Sequence, residues 1–134
     1  LRGDVENGRK VFAQSCLACH KVGEIGHDVG PDLSTVKTRS PESILIQILD
    51  PNREVLANFT QYFVRLTDGR TTTGQIVAES SSSLTLRRAE GAEESILRQN
   101  IQSISSSGQS LMPEGLEGAI DLQSMCDLIA FLRN

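Results

Sequence analysis

The chain has 134 residues, 38% apolar and 22% charged, a composition that fits a globular domain and excludes a disordered one. Its formal net charge of −4 argues against a general binder of nucleic acid or anionic membranes, because phosphate binding needs a basic surface. Aromatic residues make up only 4%, with no Trp, so the core must be filled by Leu, Ile and Val or by something that is not protein. No apolar stretch reaches the roughly 18 residues that a membrane span requires. A starting Met and a charged-then-apolar leader are both lacking, which suggests a mature chain or a domain cut from a longer protein.

The first predicted element is a helix from Val5 to Ala13, capped by Asp4 and carrying Glu6 near its positive end. Gly8, Val11, Phe12 and Ser15 fall on one face. An interior Gly costs about 1 kcal/mol relative to Ala and is tolerated where another helix must approach closely.

Three cysteines follow along the chain, a number that cannot close as internal disulfides alone. Two stand in Cys16-Leu17-Ala18-Cys19, with His20 directly after. A Cys-x-x-Cys pair alone fits a redox dithiol or half of a zinc site. Zinc would need a second pair of ligands, and the remaining candidates, His27 and Cys126, do not form one. A thioredoxin-like motif needs a preceding strand, whereas Val5–Ser15 is helical in pattern. The adjacent His discriminates, since Cys-x-x-Cys-His attaches a c-type haem. Two thioethers from one turn fix the porphyrin edge, and the next residue reaches the iron from the proximal face. A covalent macrocycle also answers the shortage of aromatic side chains.

Gly30-Pro31-Asp32-Leu33 reads as a turn. Ser40 and Pro41 then start a helix to about Leu49, with Pro in the permitted first position, and Asp50-Pro51-Asn52 stops it. From 59 to about 106 the grammar is that of strands: Tyr62–Leu66, a turn at Asp68-Gly69-Arg70, Thr71–Ala78, Leu84–Leu86, a turn at Glu90-Gly91, Ser95–Leu97 and Ile101–Ile104. The Ser105–Ser110 run reads as a mobile lead into Leu111-Met112-Pro113. A last helix from Leu122 to Leu132, capped by Asp121, carries Leu122, Met125, Ile129 and Leu132 on one stripe with Leu128 and Phe131 beside it. Crossing of the two terminal helices at Gly8/Phe12 and Leu128/Phe131 would enclose one side of a haem.

These pieces, in this order, resemble a class I monohaem cytochrome c: the helix with Gly8 and Phe12, Cys16–His20, Gly30–Leu33, Leu111–Pro113 and Asp127–Leu132. The chain is also similar to the haem-binding domains at the C-termini of large secreted planctomycete-type dehydrogenase-like proteins. The resemblance implies a mainly α cytochrome c fold, its terminal helices crossing around one covalent haem c, with an inserted small antiparallel β-sheet or partial barrel. The expected division is 1–58 for the haem-attachment part, 59–106 for the insertion, and 107–134 for the distal-ligand loop and last helix. It further implies thioethers from Cys16 and Cys19 and proximal ligation by His20. The Pro31 carbonyl would accept from the other ring nitrogen of His20, Leu33 would pack on the haem edge, and Met112 would be the distal ligand.

Met125, on the apolar stripe, reads as core filler rather than a rival ligand. His27, seven residues past His20, reads as solvent-exposed, and Cys126 as a buried thiol. The inserted segment loosely resembles an Sm-like β-barrel, but its five Arg are balanced by five acids, so no nucleic-acid partner is expected. No enzyme site is evident. The expected function is single-electron transfer between a dehydrogenase, docked or fused, and a downstream acceptor. The alternative is a gas-binding haem in which Met112 stays off the iron. Haem attachment places the protein in the periplasm or another extracytoplasmic space, and an exposed edge strand would permit a homodimer.

Overall fold

The computed structural model describes residues 2–53, 55 and 59–134. Helix α1 spans Val5–Ser15, and the Asp4 carboxylate accepts from the amides of Glu6 and Asn7 at its start. Helix α2 spans Pro41–Leu49 behind the cap Ser40, and α3 spans Leu122–Arg133 behind the cap Asp121. The caps read from sequence therefore hold, because each offers a side-chain oxygen to amides that no carbonyl of the helix can reach.

The terminal helices cross at Gly8. A Cβ there would lie 2.6 Å from the Asp127 carbonyl carbon and 2.8 Å from the Phe131 Cβ, so only hydrogen permits this approach. One turn on, the Phe12 and Phe131 rings meet at 5.6 Å between centroids, tilted by 49°. Asp127 is only 2% exposed, yet it is fully paired. It accepts from the Asp4 amide at 2.7 Å, Asn7 Nδ2 at 2.6 Å and Gln123 Nε2 at 2.8 Å, pinning the start of α1 to the middle of α3. Around this crossing Val11, Phe12, Ile44, Ile48, Ile120, Met125, Leu128 and Leu132 form one buried cluster. Leu122 departs from the expected stripe and is 72% exposed. Helical periodicity gives its direction, but the first turn of α3 overhangs the core.

After Cys16–His20 comes a hairpin of two short strands, β1 (Lys21–Val22) and β2 (Ile25–Gly26). The larger sheet comprises β3 (Thr60–Leu66), β4 (Thr71–Glu79), β5 (Ser83–Arg87), β6 (Glu93–Leu97) and β7 (Ile101–Ser110). It is antiparallel, in the order β6-β5-β4-β3-β7. Val64, Leu66, Leu84, Leu86 and Ile96 form its own core, separate from the helical one.

Two expectations are corrected here. The fold is mixed rather than mainly α: the helices hold 11, 9 and 12 residues, while the sheet strands hold 7, 9, 5, 5 and 10. The insertion also runs to Ser110, past the expected boundary at 106, because Ser105–Ser110 is strand rather than a mobile lead. Thr60 pairs with Ser110 and Phe63 with Ser105, so backbone pairing orders a stretch whose serines carry no apolar signal. Ser107 Oγ adds a bond to the Gln61 carbonyl at 2.8 Å. Entry and exit of the inserted sheet therefore lie side by side at a Thr60/Ser110 neck.

Candidate functional site: a cysteine-histidine turn and its braces

The last turn of α1 delivers the cysteines. The Cys16 amide bonds the Phe12 carbonyl at 2.8 Å, and the amides of Cys19 and His20 both return to the Cys16 carbonyl, at 3.1 and 3.0 Å. Cys16, Leu17, Cys19 and His20 are thus held on one tight turn, and the cysteines carry free thiols. Burial pushes the Cys16 thiol up to about 11, with the neighbouring Cys19 adding to the rise; burial also raises Cys19.

The segment after His20 closes on itself. The Cys19 carbonyl accepts from Val29 at 3.0 Å and from Gly30 at 2.6 Å, while the His20 carbonyl accepts from His27 at 3.2 Å. His20 Nδ1 lies 2.8 Å from the Pro31 carbonyl oxygen. A carbonyl only accepts, so Nδ1 carries the proton and Nε2 is left with its lone pair free. Burial lowers the pKa of His20, and the Pro31 bond partly offsets this, so the ring is neutral, as a metal ligand must be. Gly30 lies against the ring, where a Cβ would come within 2.6 Å of His20 Cε1. Asp32, held low by hydrogen bonds from Ser34, caps the one-turn 3-10 helix Leu33–Val36 and sets half-buried Leu33 against the helical core.

Met112 sits just beyond the neck, half-buried against that same core. Its amide bonds Ser110 Oγ at 3.0 Å. Asn52 brackets it: Oδ1 accepts from the Ser110 amide at 2.8 Å, and Nδ2 donates to Glu114 Oε1 at 2.6 Å. Met125 is 5% exposed inside the helical cluster, a core position. His27 is half-buried rather than solvent-exposed, because Gly91 of the insertion lies beside it. Cys126 is half-buried within α3.

The residues fit a haem c. A neutral imidazole with a free Nε2, two adjacent thiols, a ring cradle kept open by Gly30, and half-buried Leu17, Leu33, Val36 and Met112 on one core are the donor set and apolar wall such a group requires. Sequence reading missed the braces: Asn52 was visible only as a helix stop, and the insertion's contacts with the turn carried no sequence signal.

The family model for Cytochrome c matches residues 5–62, from α1 through the cysteine-histidine turn and α2 into β3. This match supports a haem-binding, electron-transfer cytochrome and implies a covalently bound haem c, for which Cys16 and Cys19 fit a Cys-x-x-Cys-His site. Among solved structures, the 1.55 Å crystal structure of the pleiotropic translational regulator Hfq is similar to 51% of this chain over 97% of its own length, at 20% identity with a TM-score of 0.34.

Proposed function

We propose that this chain is a c-type cytochrome whose single haem is attached through Cys16 and Cys19 and ligated by His20 and Met112. It passes one electron at a time between a dehydrogenase, docked or in the same polypeptide, and a downstream acceptor. The observation that carries this reading is the His20 Nδ1–Pro31 bond of 2.8 Å. It fixes the tautomer, leaves the Nε2 lone pair for a metal and raises the donor strength of the ring. When bound, the haem supplies the one-electron chemistry. The chain's own residues hold its edge (Cys16, Cys19), present a ligand on one face (His20), and offer a thioether from the other end of the chain (Met112). A thioether favours the reduced metal more than a second imidazole does.

The alternative, a gas-binding haem, needs Met112 to stay clear of the metal. Asn52 argues for the electron carrier, because its two bonds hold the Met112 turn on both sides. Attachment chemistry puts the protein in the periplasm or an equivalent compartment, where the Cytochrome c family is typically found. No helix among the described residues is long and apolar enough to cross a membrane.

Visible spectra of the purified protein, oxidised, reduced, and reduced under carbon monoxide, test this. A low-spin reduced spectrum unmoved by carbon monoxide is expected, becoming carbon-monoxide-sensitive in Met112→Ala. Absence of covalent haem absorption would overturn the proposal, and a high-spin wild type that binds carbon monoxide fully would hand it to the gas-binding reading.

A further inference from the structure

The loop from Ala18 to Pro31 turns its amides inward onto the carbonyls of Cys19 and His20. That leaves the carbonyls of Ala18, Asp28 and Val29 for partners outside the loop. Each is met by a donor of the inserted sheet. The Glu90 amide bonds the Ala18 carbonyl, Arg87 Nη1 bonds Asp28 at 2.9 Å, and Gln75 Nε2 bonds Val29 at 2.7 Å. The last of these is the most enclosed, since Gln75 is 3% and Val29 1% exposed.

We infer that the inserted sheet braces the loop that carries the proximal ligand, and that Gln75 is the positioning residue of that brace. The inference rests on the haem reading above. Gln75 holds Val29; the next residue, Gly30, lies against the His20 ring, and the carbonyl of the one after, Pro31, accepts the hydrogen bond from His20 Nδ1–H. One buried side-chain bond thus fixes the backbone that sets both the ring's angle and its hydrogen bond. A firmer bond at Nδ1 makes His20 a stronger donor, which favours the oxidised metal. A terminal amide suits the task, because it donates to Val29 without placing a charge beside a buried carbonyl. Arg87 and Glu90 hold the same loop at its outer rim, where the bonds are more exposed to water.

If the bond acts only as a staple between two halves of the molecule, its loss lowers stability and leaves His20 as it was. If it positions His20, its loss changes the ring. Gln75→Met keeps the volume and removes the donor. In the haem-loaded protein it should move the ferric/ferrous equilibrium about threefold toward the reduced state, roughly 28 mV upward at ~59 mV per tenfold for one electron. Amide exchange at Gly30, read by NMR in either the loaded or haem-free chain, should quicken by about tenfold, as loss of one buried hydrogen bond allows. Ile96→Val, in the sheet's own core, lowers sheet stability with the brace intact and should move neither readout. An unmoved potential and unmoved Gly30 exchange in Gln75→Met, or equal shifts in Ile96→Val, would overturn the inference. Should Gln75→Met fail to fold, Arg87→Met carries the same expectation in smaller measure. A wild type without covalent haem would sink the proposed function instead, and the Gly30 exchange would then decide the brace by itself.

Discussion

At the scale of single residues, the site depends on what is missing from Gly30 and on what Glu90 tolerates. A methyl on Gly30 would press on the His20 ring at 2.6 Å from Cε1. The ring must then swing and lengthen its bond to Pro31. Gly30→Ala should cost about 1–3 kcal/mol as overpacking and turn the reduced spectrum partly high-spin and carbon-monoxide-sensitive. An unchanged low-spin spectrum would show that the ring has room to spare. Glu90 holds φ 64° and ψ 17°, a left-handed conformation disfavoured for residues with a Cβ, while its amide reaches the Ala18 carbonyl. Glu90→Gly keeps that amide and relieves the backbone, so it should raise the urea midpoint by an amount equivalent to about 1 kcal/mol and leave the spectrum as it was. Legibility at this scale follows the kind of signal. Cys16, Cys19 and His20 are readable because the motif needs those residue types at fixed local spacing, and the His20–Pro31 bond is present as the resemblance implied. Gln75 and Asn52 are not, because each is an ordinary amide whose partner lies 46 or 58 and 62 residues away.

At the scale of elements, the terminal helices were the most legible part of the fold: capping residues and apolar spacing are local, and Gly8 marked the crossing. The buried carboxylate at their junction was not, since the three donors that pair Asp127 come from residues whose approach only the helix crossing creates or, for Gln123, from an ordinary amide one turn away. Its neighbour Cys126, by contrast, is less enclosed than its apolar surroundings suggested. Gly8→Ala would drive a methyl into the backbone of α3. The gain in helix propensity of about 1 kcal/mol is outweighed by overpacking against atoms that cannot move aside. The net loss should be about 2 kcal/mol or more, read as a lower urea midpoint. For Asp127, bonds from the Asp4 amide, Asn7 and Gln123 depress the folded pKa below the ordinary carboxylate value. A depressed carboxylate contributes stability that is complete above its unfolded pKa and disappears as pH falls through the folded one. Wild type should therefore lose stability below about pH 4 more steeply than Asp127→Asn, which starts lower at neutral pH because it has lost an acceptor. Parallel curves of urea midpoint against pH for the two proteins would show that the carboxylate titrates alike in both states.

At the scale of the whole molecule, the chain builds two cores. Phe12, Ile44, Met125 and Leu128 belong to the helical one, and Val64, Leu84, Leu86 and Ile96 to the sheet, with no shared member. Strand alternation and turn residues made the inserted sheet legible, but its far edge was placed too early because β7 ends in serines that only pairing with β3 explains. Four of the insertion's arginines meet acids on the sheet itself: Arg70 with Asp68, Arg87 with Glu93, Arg88 with Glu94 and Arg98 with Glu79. Among the described residues the two halves meet at the Thr60/Ser110 neck, where Asn52 also holds Ser110, at the three carbonyl bonds to the proximal loop, and where Gly91 lies beside His27. Separate cores joined by so few bonds should not melt as one unit. Tyr62, the chain's one tyrosine, lies in β3 and reports the sheet, whereas haem absorbance reports the helical half. Leu84→Ala, at a site with no solvent exposure, removes about 2–5 kcal/mol from the sheet core. In urea it should bring the Tyr62 fluorescence change well ahead of the haem change, whose midpoint stays near that of wild type. Between the two transitions the protein would hold a melted sheet beside a folded helical half. Its potential there should be raised as in Gln75→Met, because the brace on the His20 loop is gone while His20, Cys16 and Cys19 remain in place. A single coincident transition, shifted as a whole by Leu84→Ala, would instead make the neck and its three bonds strong enough to couple both cores.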